Sequence, residues 1–313
     1  MSIRTIKLSF LAPVHFGNGR LSDNSINCDA AMLFSALYIE ALNDGCSKEL
    51  YIAATEGNLT ISDAFPFIDD VFYLPKPMTP LETIPGGKAV RTNKNDSLVK
   101  KAFKKLSFVP ASYYNTYFAG DLDPFSILDG LNLGEAAVQT KVNLTNEEKP
   151  AEPYHVGSFS FHENAGLYFL VDGTYEIEPL LKQLQYSGLG GERSSGYGRF
   201  FYSISDINPL EQVKTSGADP SGLHGWVLLA SAAPKINETT DTLLDGASYN
   251  LVRKSGFVQS QSHSSNPQKK RDFYTFAAGS FFNHKFDGAI YDVNTTPNAH
   301  PVYRYARAMW LEV

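Results

Sequence analysis

The most constraining feature of the sequence lies near its start, where apolar residues change from alternate spacing to a helical stripe. Ile6, Leu8 and Phe10 alternate with Thr5, Lys7 and Ser9, which predicts a strand over residues 3–11 with one apolar face. A glycine-punctuated loop, PVHFGNGRLSDNS, follows. Ala30, Leu33, Phe34, Leu37, Ala41 and Leu42 then fall on a single stripe and predict an amphipathic helix. Asn27 and Asp29 offer caps for that helix and Gly45 a stop. A one-faced strand followed by a one-faced helix buries both faces by laying the helix on a sheet.

The same elements return further along. Residues 71–74 read as a second strand, after which PKPMTP breaks regular structure. Residues 156–161 and 166–171 read as strands. Residues 177–186 read as a helix with Leu180, Leu181 and Leu184 on one side, and 199–204 as a strand. From 81 to 153 the pattern is irregular, with a Gly-Gly turn, a short basic helix (SLVKKAFKKL) and a polar stretch (NLTNEEKPAEP). So long a segment is expected to be a protruding, thumb-like insertion. With it set aside, the order is strand, helix, strand, strand, helix, strand, that of a ferredoxin-like (RRM-like) unit of the α+β class. The stretch NPLEQVKTSGADPSG reads as a linker. The expected division is an N-terminal ferredoxin-like domain over 1–205, with its thumb at about 81–153, and a degenerate ferredoxin-like domain over 222–313. The second domain is expected to hold strands near 226–232, 249–258, 273–281, 289–293 and 302–313, with one weak helix at 239–244. No sequence repeat links the halves.

Composition narrows the class. Of 313 residues, 43% are hydrophobic and 19% charged, enough core for about two domains and too little charge for a disordered chain. No apolar run approaches 18 residues, so no membrane span is expected. The first ten residues read as a strand and not as a signal peptide. Two cysteines are too few for a disulfide framework, and a cytoplasmic protein is expected. With 27 basic and 33 acidic residues the formal charge is −6, which argues against a diffuse nucleic-acid-binding field but leaves room for local basic surfaces.

Three features can carry chemistry. The segment 187–199, SGLGGERSSGYGR, has five glycines with Arg193, Ser194, Ser195 and Arg199 among them. Glycines let consecutive N–H groups converge on an anion. No GK[ST] follows, and the segment leaves a helix to enter a strand, so neither a Walker loop nor a dinucleotide fingerprint fits. The plain reading is a flexible connector. Second, two basic patches lie beside aromatics. One holds Lys88, Arg91, Lys94, Lys100, Lys101, Lys104 and Lys105 near Phe103, Phe108, Tyr113, Tyr114 and Tyr117. The other holds Arg253, Lys254, Lys269, Lys270 and Arg271 around Phe257. Charge for phosphates and rings for unstacked bases are what single-stranded RNA needs; the plain reading is a solvated helix face and a disordered loop. Third, His15 follows the first strand. It is a candidate general base for 2′-OH attack or, more plainly, a hydrogen-bonded loop histidine. No two of the seven histidines stand at metal-ligand spacing, and no metal or other cofactor is expected.

GLGGERSSGYGRF resembles the glycine-rich loop of the RAMP proteins of CRISPR systems. The chain is similar, more specifically, to the fourth Csm subunit of type III-A interference complexes. HFGNGRL, DAAMLFSALYIEAL, FYLPKPM, PYHVGSFSF, RKSGFV, FAAGSFF and HPVYRYARAMWLEV carry the resemblance in order along nearly the whole chain. It implies two ferredoxin-like halves, a thumb, and a non-catalytic role in antiviral defence, capping the complex at the 5′ handle of the CRISPR RNA. The implied neighbours are the large polymerase-like subunit and a backbone RAMP subunit, with target RNA met indirectly. It carries RNA binding to Gly188, Gly190, Gly191, Arg193, Ser194, Ser195, Gly196 and Tyr197, and by weaker matches to His15, Phe16, Gly17, Lys254 and Phe257. The resemblance departs at Glu192, where many members of the family carry a basic residue. The alternative enzyme reading is a metal-independent endoribonuclease of precursor CRISPR RNA with His15 as base. A third is a protein-only scaffold.

Overall fold

The computed structural model describes residues 3–17, 19–79, 96–143, 152–214, 224–258, 268–296 and 300–313. Strand β1 (Arg4–Phe10) lies between β8 (Ala165–Asp172) and β9 (Phe200–Ser205), antiparallel to both. Ile6 and Leu8 are buried as its alternation requires, while Phe10 is half-buried and Thr5, on the opposite face, is buried too. Helix α1 (Ala30–Asp44) is capped by Asp29, whose carboxylate accepts the Met32 N–H at 2.7 Å, and stops at Gly45 with φ 78°. Ala30, Leu33, Phe34, Leu37 and Ala41 are buried; Leu42, expected on the same stripe, is exposed. One residue past Ala41 is about 100° further round the helix, which carries Leu42 off the packed face.

The strand expected at 71–74 is present, but a strand that the sequence reading missed lies between it and β8. Strand β3 (Phe65–Ile68) pairs with β8, and β4 (Val71–Pro75) folds back on β3 one position further out. The sheet order is β5 (Phe108–Pro110)-β4-β3-β8-β1-β9, with β2 (Thr60–Ile61) also on β8. Phe65, Pro66 and Phe67 are all buried, so β3 reads as an apolar run with no period. Helix α2 (Ser47–Glu56), also missed, packs on α1, and α6 (Glu178–Ser187) packs beside α1.

The segment 81–153 does not protrude as one piece. Lys88, Arg91, Lys94 and the Gly-Gly turn lie outside the described residues. Helix α3 (Asp96–Lys105) shows Lys100, Lys101, Lys104 and Lys105 to solvent. Strand β5 (Phe108–Pro110) then joins the main sheet on β4, and Tyr114, Tyr117 and Phe118 of α4 (Tyr114–Phe118) are core residues. The Tyr114 hydroxyl donates to the Pro75 carbonyl and that of Tyr117 to Pro77 at 2.9 Å, so these buried phenols are satisfied. After α5 (Pro124–Gly130), a long antiparallel hairpin projects, β6 (Gly134–Asn143) with β7 (Glu152–Phe161), and its first strand is largely exposed.

The expected linker opens with helix α7 (Pro209–Lys214), which buries Leu210 and Val213. Beyond it the described residues form three small antiparallel sheets. These are β13-β10-β16 (β10 Trp226–Leu228, β13 Phe281–Phe282, β16 Trp310–Glu312), β11 (Leu251–Lys254) with β12 (Phe273–Phe276), and β14 (Gly288–Asp292) with β15 (Tyr303–Arg307). The expected weak helix is a 3-10 turn, Asp241–Leu244.

The main core cluster spans the two halves, with Val227, Leu229, Tyr305 and Leu311 joining Ile6 and Phe34, and a smaller cluster around Leu228, Phe276, Phe282 and Phe286 lies within the second half. Asp63 is the bolt between the halves: its Oδ1 accepts the N–H of Ala30 at 2.8 Å and of Ser231 at 2.7 Å, and its Oδ2 accepts the Ser231 hydroxyl at 2.7 Å. Burial, and then the neighbouring Asp29 charge, push its carboxyl up to about 6. The Ile61 N–H donates to the Tyr305 hydroxyl at 3.0 Å, and Arg307 donates to the carbonyls of Ala54 and Thr55.

Candidate nucleic-acid interface

The glycine-rich loop is the top of a three-layer stack. The bottom layer is β7. The middle layer is the loop after β1: Val14 exchanges backbone hydrogen bonds with Phe159 at 2.8 and 2.9 Å, and His15 Nδ1–H donates to the Gly157 carbonyl at 2.7 Å. The top layer bonds back to the middle one, Gly191 N–H to the His15 carbonyl at 2.9 Å and Gly198 N–H to that of Pro13 at 2.8 Å. Two glycines are explained by this packing. A Cβ on Gly190, at φ 96°, would stand 2.7 Å from the His15 carbonyl oxygen, and one on Gly191 would stand 2.8 Å from His15 Cδ2. Close approach therefore serves the protein's own backbone first. Gly191 is not in the left-handed region, contrary to the positive φ that a glycine-rich turn invites.

What the loop leaves open is narrower than the sequence implies. Arg193 and Ser194, with Gly190, Gly191 and Glu192, face Ile39, Glu40 and Asn43 of α1 across an open cleft of about 580 Å³. Ser195 is exposed, and Gly196 borders open space. Gly188 is buried and caps α6, its N–H donating to Leu184 at 2.8 Å. Tyr197 is buried, with its hydroxyl donating to Gln139 Oε1 at 2.7 Å, so it presents no free ring face to a base.

The projecting hairpin closes over this loop. Lys141 on β6 pairs with Glu192 at 2.5 Å, reaches Ser195 Oγ at 3.3 Å and stands 5.0 Å from the centre of the Tyr197 ring. The hydrogen bond to Glu192 holds the Lys141 ammonium above its ordinary range. Glu192 itself adopts φ 57°, an uncommon conformation for a residue with a side chain. Lys141 and Gln139 belong to the stretch that reads as irregular; its β-branched Val138, Thr140 and Val142 are the one sign of a strand there.

The remaining candidates are dispersed. His15 is buried and Phe16 fully so, packed edge-on against Phe10, while Gly17 is exposed. Lys254 pairs with Asp29 at 2.6 Å. Burial pushes the Asp29 carboxyl up, but the Lys254 charge and hydrogen bond and the Met32 N–H outweigh it and leave it below its ordinary value. Nearby, burial and then the Arg304 charge push Lys270 down to about 8. Phe257 is exposed. Asp29 precedes the cleft residues Ile39 and Asn43 by ten and fourteen positions, about 15–20 Å along α1. Lys254 and Phe257 thus form a separate surface from the cleft. Among the described residues no group of three His, Cys, Asp or Glu side chains could hold a metal ion, and no helix is long and apolar enough to cross a membrane.

Residues 223–313 match the family model described as the CRISPR Csm4 C-terminal domain. A Mycobacterium tuberculosis (strain CDC 1551 / Oshkosh) protein named CRISPR system Cms protein Csm4 is 36% identical over 300 residues, 95% of this chain and 93% of its own length. Its Streptococcus thermophilus namesake is 31% identical over 304 residues, 96% and 95% of the two chains. The fold is similar to one in a crystal structure of a Csm3-Csm4 subcomplex of the type III-A CRISPR-Cas interference complex. There the TM-score is 0.65 and the identity 16%, over 99% of both chains. It is also similar to one in a Csm1-Csm4 cassette with AMPPNP, with TM-score 0.61 and 17% identity over 99% of this chain and 97% of the other.

Proposed function

The chain belongs to the Csm4 family of type III-A CRISPR complexes, and from that premise we propose that it is a non-catalytic, guide-RNA-binding subunit that caps the complex at the 5′ handle. Its partners in this reading are a large Csm1-type subunit and a Csm3-type backbone subunit, the proteins that share the Csm4 structures it resembles. The antiparallel order β9-β1-β8-β3, with α1 and α6 as the intervening helices, supports a ferredoxin-like unit over 1–205. The three helix-poor sheets after residue 222 are the degenerate second one.

The observation that carries the reading is the position of Arg193, Ser194 and Ser195. Ser194 and Ser195 are exposed and Arg193 is half-buried at the cleft, all on a loop whose backbone is fixed against the His15 layer. One guanidinium and two hydroxyls on a rigid loop suit a bent phosphodiester backbone. His15, with Nδ1–H given to Gly157 and its ring under Gly191, is occupied in building that loop, which supports a structural role over that of a base. The test is nuclease protection of the guide in complexes assembled with and without this subunit. The expected result is a handle protected only when the subunit is present. A handle equally protected without it overturns the assignment.

A further inference from the structure

We propose that Lys141 is an additional phosphate ligand of the loop, held in reserve by Glu192, so that RNA enters by displacing a carboxylate from an ammonium. This rests on the loop being the RNA site and adds to it a residue on the hairpin and a competitor within the chain. Lys141 Nζ lies 2.5 Å from Glu192 Oε2 and 3.3 Å from Ser195 Oγ, so a phosphate reaching Ser195 also reaches the ammonium. The Tyr197 ring keeps the ammonium over the loop once its carboxylate partner leaves. Both members of the pair are 22% exposed, so an anion from solvent has access to them. A lysine head offers three donors without a fixed plane and accepts carboxylate or phosphate with little rearrangement. The cleft as it stands carries two carboxylates, Glu40 and Glu192, against one guanidinium, Arg193. Breaking the Lys141–Glu192 pair gives the phosphate a second cation beside Arg193 and leaves the Glu192 carboxylate unpaired, which is the opposing cost that holds Lys141 in reserve.

The experiment is a double-mutant cycle in the assembled complex, read as affinity for handle-sequence RNA at fixed salt. Glu192→Gln is expected to tighten binding about threefold to tenfold, the release of a partly exposed ion pair. The gain is expected to vanish in the Lys141→Met background. Glu192→Gly removes the carboxylate and relieves the positive φ together; the same gain as with Gln assigns the effect to charge. Equal tightening with and without Lys141 overturns the proposal, since Glu192 would then only repel RNA. No change on Glu192→Gln, while Arg193→Ala still weakens binding, overturns the reserve role and leaves the loop as the RNA site. No effect of any of these variants, Arg193→Ala included, rejects the loop itself and the proposal with it.

Discussion

Replacing Asp63 by Ala should open the seam between the two halves. Three donors converge on that carboxylate, the N–H groups of Ala30 and Ser231 and the Ser231 hydroxyl, all within 2.8 Å. Alanine leaves each buried without an acceptor, at about 1–3 kcal/mol apiece before water or relaxation recovers a share. Removing a carboxyl held up to about 6 returns part of that. Against an ordinary value near 4, ionising it at pH 7 costs about 3 kcal/mol. The net loss is expected to be about 3 kcal/mol, a large part of a typical 5–15. Asp63→Asn separates the two effects. Its Oδ1 still accepts both N–H groups, and its Nδ2 donates to Ser231 Oγ, with no charge to desolvate; it should match or exceed wild type at pH 7. The pH dependence has a definite sign. The folded carboxyl titrates above the unfolded one, so the stability that Asp63 supplies is full below about pH 4 and lost as pH rises through about 6. Asp29, lowered by Lys254, works oppositely, its contribution being lost as pH falls below about 4. Urea unfolding at pH 5, 6 and 7.5 reads these out, and Asp63→Asn should flatten the decline between 5 and 7.5. An Asp63→Ala protein as stable as wild type, or an Asn variant with an undiminished decline, would refute the reasoning.

Two further outcomes follow from residues near the loop and in the former insertion. Replacing Lys100, Lys101, Lys104 and Lys105 by Ala should move stability by less than about 0.5 kcal/mol each, since all four are exposed, whereas Tyr114→Ala in the same segment should cost about 3–5 kcal/mol. Thermal melts compare them, and an unfolded lysine variant would contradict the assignment of that face to solvent. His15→Asn, which keeps a donor near the position of Nδ1, should leave target-RNA cleavage by the assembled complex unchanged. Lost cleavage with assembly and RNA content intact would make His15 a chemical participant.

The sequence speaks clearly where structure is local. The β1 alternation, the Asp29 cap and the Gly45 stop involve residues within a turn or two of one another. Strand β3 was hidden because Phe65, Pro66 and Phe67 are all buried and leave no period to read. Glycine spacing showed that something comes close to the loop. That the neighbour is the His15 backbone depends on chain 175 residues away, and local spacing carries no trace of it. Lys254 reads as a free cation beside an aromatic until its partner, Asp29, is placed next to it by the packing of the halves. Several family-like segments meet at that seam: Gly279 of FAAGSFF accepts from Met78 of FYLPKPM, and Arg307 of the terminal segment holds the end of α2. These contacts hold the two halves of the chain together.

RNA capture by a few placed groups on an acidic chain is the central claim, and salt dependence tests it most directly. Each phosphate neutralised by a protein cation contributes about 0.7 to the log–log salt slope of single-strand binding. The measurement is a salt titration of handle-sequence RNA binding by the assembled complex, with Arg193→Ala beside wild type. The account predicts a slope shallower by about 0.7 for the variant, with an unchanged melting temperature. Superimposable affinities at every salt concentration would show that the loop only joins α6 to β9.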